Sequence, residues 1–119
     1  MKSLVWFRSD LRLEDNPALR SACSSYEEVQ AVYIFSKNQL ASHNEANVKI
    51  DFIVKNLYLL EKSLSELNIP LTILESGGFK EDPKLIQDLS LNRNIDTVYW
   101  NKQFGEDESN RDSVALDLL

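Results

Sequence analysis

Apolar residues along the chain fall into short dense runs separated by stretches in which they recur every three or four positions. Lys2–Phe7, Val29–Phe35, Ile69–Leu74 and Ile95–Trp100 are runs of the first kind, rich in β-branched and aromatic side chains, and each predicts a strand. Leu4, Val5, Trp6 and Phe7 are continuously apolar, which predicts a central parallel strand covered on both faces. Elsewhere the period changes. Ile50, Ile53, Leu57, Leu60, Leu64 and Leu67 lie three and four apart, with Lys49, Asn56, Lys62 and Glu66 off the stripe, so this stretch predicts a helix laid on a sheet. A shorter helix is predicted from Pro17 to about Ser24, capped by Asn16, and another begins at Asp82-Pro83 and stops over Asn92–Asn94. A last one over Val114–Leu119 carries Leu116, Leu118 and Leu119 on its apolar side and ends without a capping residue, the mark of a cut end.

The order β-α-β-α-β-α-β-(α) predicts parallel strands joined by right-handed crossovers, hence an α/β fold built as a three-layer sandwich. Ligands in such sheets bind beyond the carboxyl ends of the strands, where strand order reverses. The segments that reach that edge are Arg8–Glu14, Ser36–Asn47, Glu75–Lys80 and Asn101–Glu108.

Composition narrows the class. With 119 residues, 43% apolar and 27% charged, the chain reads as one soluble domain, and no apolar run approaches the roughly 20 residues of a membrane span. Residues 1–8 contain no apolar export signal. Cys23 is the only cysteine, so no internal disulfide forms; beside Leu19 and Ala22 it reads as a small apolar residue on a buried helix face, and a reducing cytoplasm fits. A net charge of −6 argues against this chain alone gripping a phosphate backbone.

Candidate chemistry is sparse. Gly77-Gly78 follows a strand but belongs to neither glycine-rich phosphate motif, and reads as a turn. His43 has no second histidine or cysteine cluster near it and reads as a loop residue. In an extended Arg8–Glu14 segment, Arg8, Asp10 and Arg12 project to one side and Leu11 and Leu13 to the other. The charged row then either pairs internally or with a neighbouring domain, or it is solvated; spacing alone leaves these open. Glu106, Asp107, Glu108 and Asp112 read as a solvated acidic face or as helix N-terminal charge, and no nucleophile or oxyanion donor accompanies them.

Two stretches, VWFRSDLRLEDNPAL at Val5–Leu19 and VYWNKQFGEDESNRD at Val98–Asp112, together resemble the N-terminal domain of the DNA photolyase and cryptochrome family, most nearly its folate-type bacterial photolyases. The resemblance covers essentially the whole chain. It implies a parallel, Rossmann-like sheet of four or five strands forming a light-harvesting antenna domain over residues 1–119. It further implies a following helical domain, absent here, that carries FAD, contacts damaged DNA and holds the catalytic site. The implied pigment is methenyltetrahydrofolate, partly held by His43 and by Asp107 and Glu108. Glu108 matches the family pattern, while Asp107 stands where an asparagine is usual and a carboxylate cannot donate as an amide does. The loop Phe104–Glu106 does not resemble that of deazaflavin-using members. Arg8, Asp10 and Arg12 match the charged run at the domain junction, with Asn101, Arg111 and Asp112 as structural or interdomain residues. The implied protein is cytoplasmic, touches no membrane and repairs cyclobutane pyrimidine dimers with light; a cryptochrome photoreceptor is the near alternative. A receiver-type signalling domain is disfavoured because strand three reaches Glu75 where a phosphorylatable aspartate is needed, and a universal-stress-type nucleotide module because no phosphate loop is present.

Overall fold

Strands β1 (Lys2–Phe7), β2 (Glu28–Ser36), β3 (Leu71–Ser76) and β4 (Thr97–Tyr99) pair in parallel in the order β3-β2-β1-β4. They are seen in a computed structural model that describes residues 1–8, 10–25, 27–36, 47–103 and 106–119, without the side chains of residues 47–49, 106 and 107. Among the described residues, four helices connect and follow them: α1 (Pro17–Ser25), α2 (Asn47–Glu66), α3 (Asp82–Asn92) and α4 (Glu106–Leu118).

The apolar run of β1 is central because it is sandwiched twice, between β2 and β4 in the sheet and between helices above and below. Alternation along the strand divides its side chains. Val5 and Phe7 enter a core with Ala18, Leu19 and Ala22 of α1 and Leu57, Leu60 and Leu64 of α2. Leu4 and Trp6 enter the opposite core with Ile86 of α3 and Ala115 of α4. Three layers result, as the element order predicts, and the strand count is four among the described residues.

Local chemistry sets the helix ends. Asn16 caps α1, its Oδ1 accepting the Leu19 N–H at 3.1 Å. Pro83 lies in the first turn of α3, and Asn94, with φ of 56°, takes the left-handed conformation that ends it. On α2 the stripe holds at Leu57, Leu60 and Leu64, whereas Leu67 falls past the helix end and is exposed. No described helix is long and apolar enough to cross a membrane.

Two expectations need correction. Cys23 is exposed. The inward side of α1 is Ala18, Leu19 and Ala22, and one further residue turns the chain by about 100° away from it. Helix α4 starts at Glu106 rather than Val114, and it buries Ala115 while Leu116, Leu118 and Leu119 face outward. The reason is that Arg111 and Asp112 are themselves buried, four and three residues before Ala115, so polar residues define the inward stripe.

From β1 the chain steps outward through β2 to β3, then α3 carries it back across to β4 on the other side of β1. The reversal therefore lies between the carboxyl ends of β1 and β4. Replacing fully enclosed Leu64 by alanine is expected to cost about 2–5 kcal/mol, and the same change at exposed Leu116 less than about 0.5 kcal/mol. Urea midpoints of the two variants check the inward assignment, and equal losses would show α4 to be wrongly oriented.

Candidate functional site

Arg8 is the first residue past β1, and the fold gives its side chain no route to water: it is 5% exposed. Its guanidinium forks onto Asp112 of α4, with Nη1 2.7 Å from Oδ1 and Nη2 3.2 Å from Oδ2, and Nη2 also donates to the main-chain oxygen of Asn101. The same group lies over the rings of Trp6, at 4.8 Å, and Trp100, at 5.8 Å, and these two rings meet edge to face.

Asn101, just past β4, is the hub of the reversal point. Its Nδ2 donates to Asp10 at 2.5 Å and to Asn16 Oδ1 at 2.7 Å, and its Oδ1 accepts the Ala18 N–H at 3.0 Å. One amide thus ties the loop after β1, the start of α1 and the end of β4, with both kinds of amide group engaged. Asp10 also accepts the Arg8 N–H at 3.0 Å.

Arg111 completes the set. It donates from Nε to Asp112 at 3.2 Å and from Nη2 to Gln103 at 2.6 Å, and it covers Phe79 and Trp6 at 4.4 and 5.1 Å. Burial holds its pKa below the usual arginine value and the nearby Arg8 adds to the effect, while Asp112 opposes both.

The structure thus brings Arg8, Asp10, Asn101, Arg111 and Asp112 into one network. Arg12 leaves the predicted row: it is exposed, and its guanidinium donates to the Asp15 carbonyl at 3.2 and 3.3 Å. Leu11 and Leu13 do pack against the core on the α1 side. Glu108 stands partly buried in the first turn of α4 beside Asp107. His43 lies outside the described residues. The Gly77 N–H is taken by Glu81 Oε2 at 2.8 Å, as a turn requires.

Asp82 was legible only as a helix start, yet its carboxylate is buried between Ser36 Oγ, at 2.6 Å, and Ser76 Oγ, at 2.5 Å. Serines ending two neighbouring strands, followed by an acid opening the next helix, are the available signal. A groove of about 850 Å³ beside Tyr58, Lys62, Asn68 and Pro70 opens at the amino end of β3, the opposite edge from the reversal point. No three or more His, Cys, Asp or Glu side chains among the described residues gather as a metal site.

A family model described as DNA photolyase matches residues 3–119. The chain belongs to the DNA photolyase family. A deoxyribodipyrimidine photo-lyase of Vibrio cholerae is 36% identical over 116 residues, 98% of this chain and 25% of the relative. Cryptochrome-2 of Gallus gallus is 29% identical over 117 residues, 98% of this chain and 19% of the relative. A solved archaeal photolyase from Sulfolobus tokodaii shares the fold, with a TM-score of 0.82 at 23% identity over 99% of this chain and 26% of that one. The chain spans about a quarter of the length of the photo-lyase relatives it matches.

Within this photolyase-family fold, replacing Asp112 by alanine strands two buried guanidiniums. A loss of about 3–5 kcal/mol is expected in chemical denaturation, against at most about 1 kcal/mol for Asp88→Ala, which breaks the exposed pair with Lys84. Comparable small losses at both positions would contradict the network's role.

Proposed function

We propose that this domain is the antenna of a deoxyribodipyrimidine photo-lyase and holds methenyltetrahydrofolate beside the first turn of α4. When bound, the pigment supplies absorption of near-ultraviolet or blue light and transfer of the excitation to reduced FAD in a separate helical domain. That flavin would then donate an electron to a cyclobutane pyrimidine dimer flipped out of DNA.

The observation that carries the reading is Glu108, partly buried in the first turn of α4, four residues before the Asp112 that meets Arg8, and at a position matching the family's folate contact. The fit is chemical. The pterin presents ring and amino N–H donors, and its methenyl bridge is formally cationic; a carboxylate accepts the first and offsets the second. Asp107 brings a second acceptor in place of an amide, and His43 is the contact from the segment after β2. Along the same edge, the network of Arg8, Asn101 and Asp112 ties the ends of β1 and β4 to α4 and so acts as a fixed floor. Asp10 and Arg111 belong to that floor. Exposed Arg12 is the member of the charged run that remains at the surface to meet the FAD domain.

A net charge of −6 suits a domain that leaves DNA contact to that other part of the protein, and exposed Cys23 suits a reducing cytoplasm. Greater identity to photo-lyases than to a cryptochrome favours repair over photoreception.

The test is the absorption spectrum of the protein in its full natural length after incubation with methenyltetrahydrofolate and gel filtration. A retained near-ultraviolet pigment band is expected. Glu108→Ala should lower affinity at least about tenfold, as loss of a charge-assisted hydrogen bond does, and Cys23→Ser should leave it unchanged. Absence of both the pigment band and a flavin band would sink the photo-lyase reading, and a band indifferent to Glu108 would move the pigment elsewhere.

A further inference from the structure

Among the described residues, four charged side chains are buried near the strand ends: Arg8, Arg111, Asp112 and Asp82. Asp112 is taken by the two arginines. Asp82 instead answers to two hydroxyls, and its surroundings allow it two protonation states.

Ser36 and Ser76 are register partners, each the last residue of its strand, so their side chains emerge on the same side of the sheet. The Asp82 carboxylate, at the start of α3, lies between them, Oδ2 2.6 Å from Ser36 Oγ and Oδ1 2.5 Å from Ser76 Oγ. The Ser76 hydroxyl has a second acceptor within reach, the carbonyl of Gly78 at 3.2 Å. One hydroxyl carries one proton, so Ser76 serves one acceptor at a time. When Asp82 is ionised, both serines donate to it. When Asp82 is protonated on Oδ1, it donates to Ser76, Ser76 turns its own proton to Gly78, and Ser36 continues to donate to Oδ2. Neither state leaves a buried polar group unpaired, which is the condition for switching without loosening the fold.

We propose that Asp82, Ser36 and Ser76 form a proton-accepting clasp that holds β2, β3 and α3 together in both states and, on protonation, removes one negative charge from the strand-end edge. The charge balance follows from the residues present. Among these four buried side chains, two guanidiniums face two carboxylates when Asp82 is ionised, and one carboxylate when it is not. The groups that act on Asp82 come from each neighbouring element. Burial raises its pKa and Glu81 pushes the same way, while Ser36, Ser76 and Arg111 of α4 oppose. From β2, the Tyr33 hydroxyl is pushed up to about 12, first by burial and then by the Asp82 charge, so it stays neutral throughout.

Because the folded protein raises the pKa of this acid, it favours the protonated form. The resulting stabilisation is complete below the ordinary aspartate value of about 3.9 and is lost as pH rises through the folded value. Acidification from neutral therefore stabilises the natural protein relative to a variant that does not titrate there. Asp82→Asn is that variant: its amide accepts from Ser36 and donates to Ser76, as the protonated acid does.

The experiment follows the Asp82 carboxyl by carbon-13 NMR in the natural protein and compares melting temperatures of four forms: natural, Asp82→Asn, Ser76→Ala and the double variant. A midpoint above the ordinary aspartate value is expected. Asp82→Asn should melt at or above the natural protein at neutral pH, with the difference shrinking or reversing as the pH falls. In the Ser76→Ala background, where the new amide has lost its acceptor, the same substitution should lower melting by about 2–8 °C. A midpoint at or below the ordinary value, or an Asp82→Asn penalty equal in both backgrounds, would overturn the proposal. Neither result depends on which pigment the domain binds.

Discussion

A guanidinium at the end of a fully covered central strand has to find its partners inside the protein. Arg8 does so through a two-point bond to Asp112, a residue 104 positions away, and much of the strand-end architecture follows from that pairing. Burying both charges carries a desolvation cost of several kcal/mol, offset only when the geometry is good and the remaining donors are satisfied. The fork, the Asn101 carbonyl and the flanking tryptophan rings meet most of that condition, while Arg8 Nε is buried with no hydrogen-bond partner among the described residues. The pairing also fixes α4. With Asp112 and Arg111 turned inward, Ala115 must face the core on the next turn, and the leucines after it must face out.

Two polar knots secure the carboxyl edge of the sheet. Arg8, Asn101 and Asp112 close the ends of β1 and β4, and Asp82 with Ser36 and Ser76 closes those of β2 and β3; Arg111, which feels the charges of both Asp82 and Asp112, links them electrostatically. An edge tied in this way is well suited to being a rigid floor. In the proposed antenna role, ligand recognition falls to neighbouring groups, the first turn of α4 among them. A fixed floor is also what energy transfer between a pigment and a distant flavin would need, since transfer depends on a constant separation and orientation.

Much of the fold was legible because its apolar residues obey the periods of their elements. Lys2–Phe7 announces a central parallel strand, Ile53–Leu64 an amphipathic helix, and Asn16-Pro17 a capped start, and each is found there. The failures share a cause. At Arg111, Asp112 and Asp82 the inward residues are charged, and a pattern of apolar positions cannot reveal a polar residue whose partner lies far along the chain. The face of α4 was misassigned for that reason. Arg8, Asp10 and Arg12 show the same limit: alternation marked them as a set, but only Arg8 and Asp10 join the network, because Arg12 turns to the nearby Asp15 carbonyl. Cys23 is a simpler miss, one residue past the buried side of a nine-residue helix.

The central claim is that the strand-end network is a floor and the pigment sits above it at α4. Amide chemical-shift mapping of the isotope-labelled protein during titration with methenyltetrahydrofolate tests it most directly. The largest shifts are predicted at Asp107, Glu108 and the first turn of α4, with Leu4–Phe7 unmoved. Shifts centred on the groove beside Tyr58 and Pro70, or spread through β1, would contradict it.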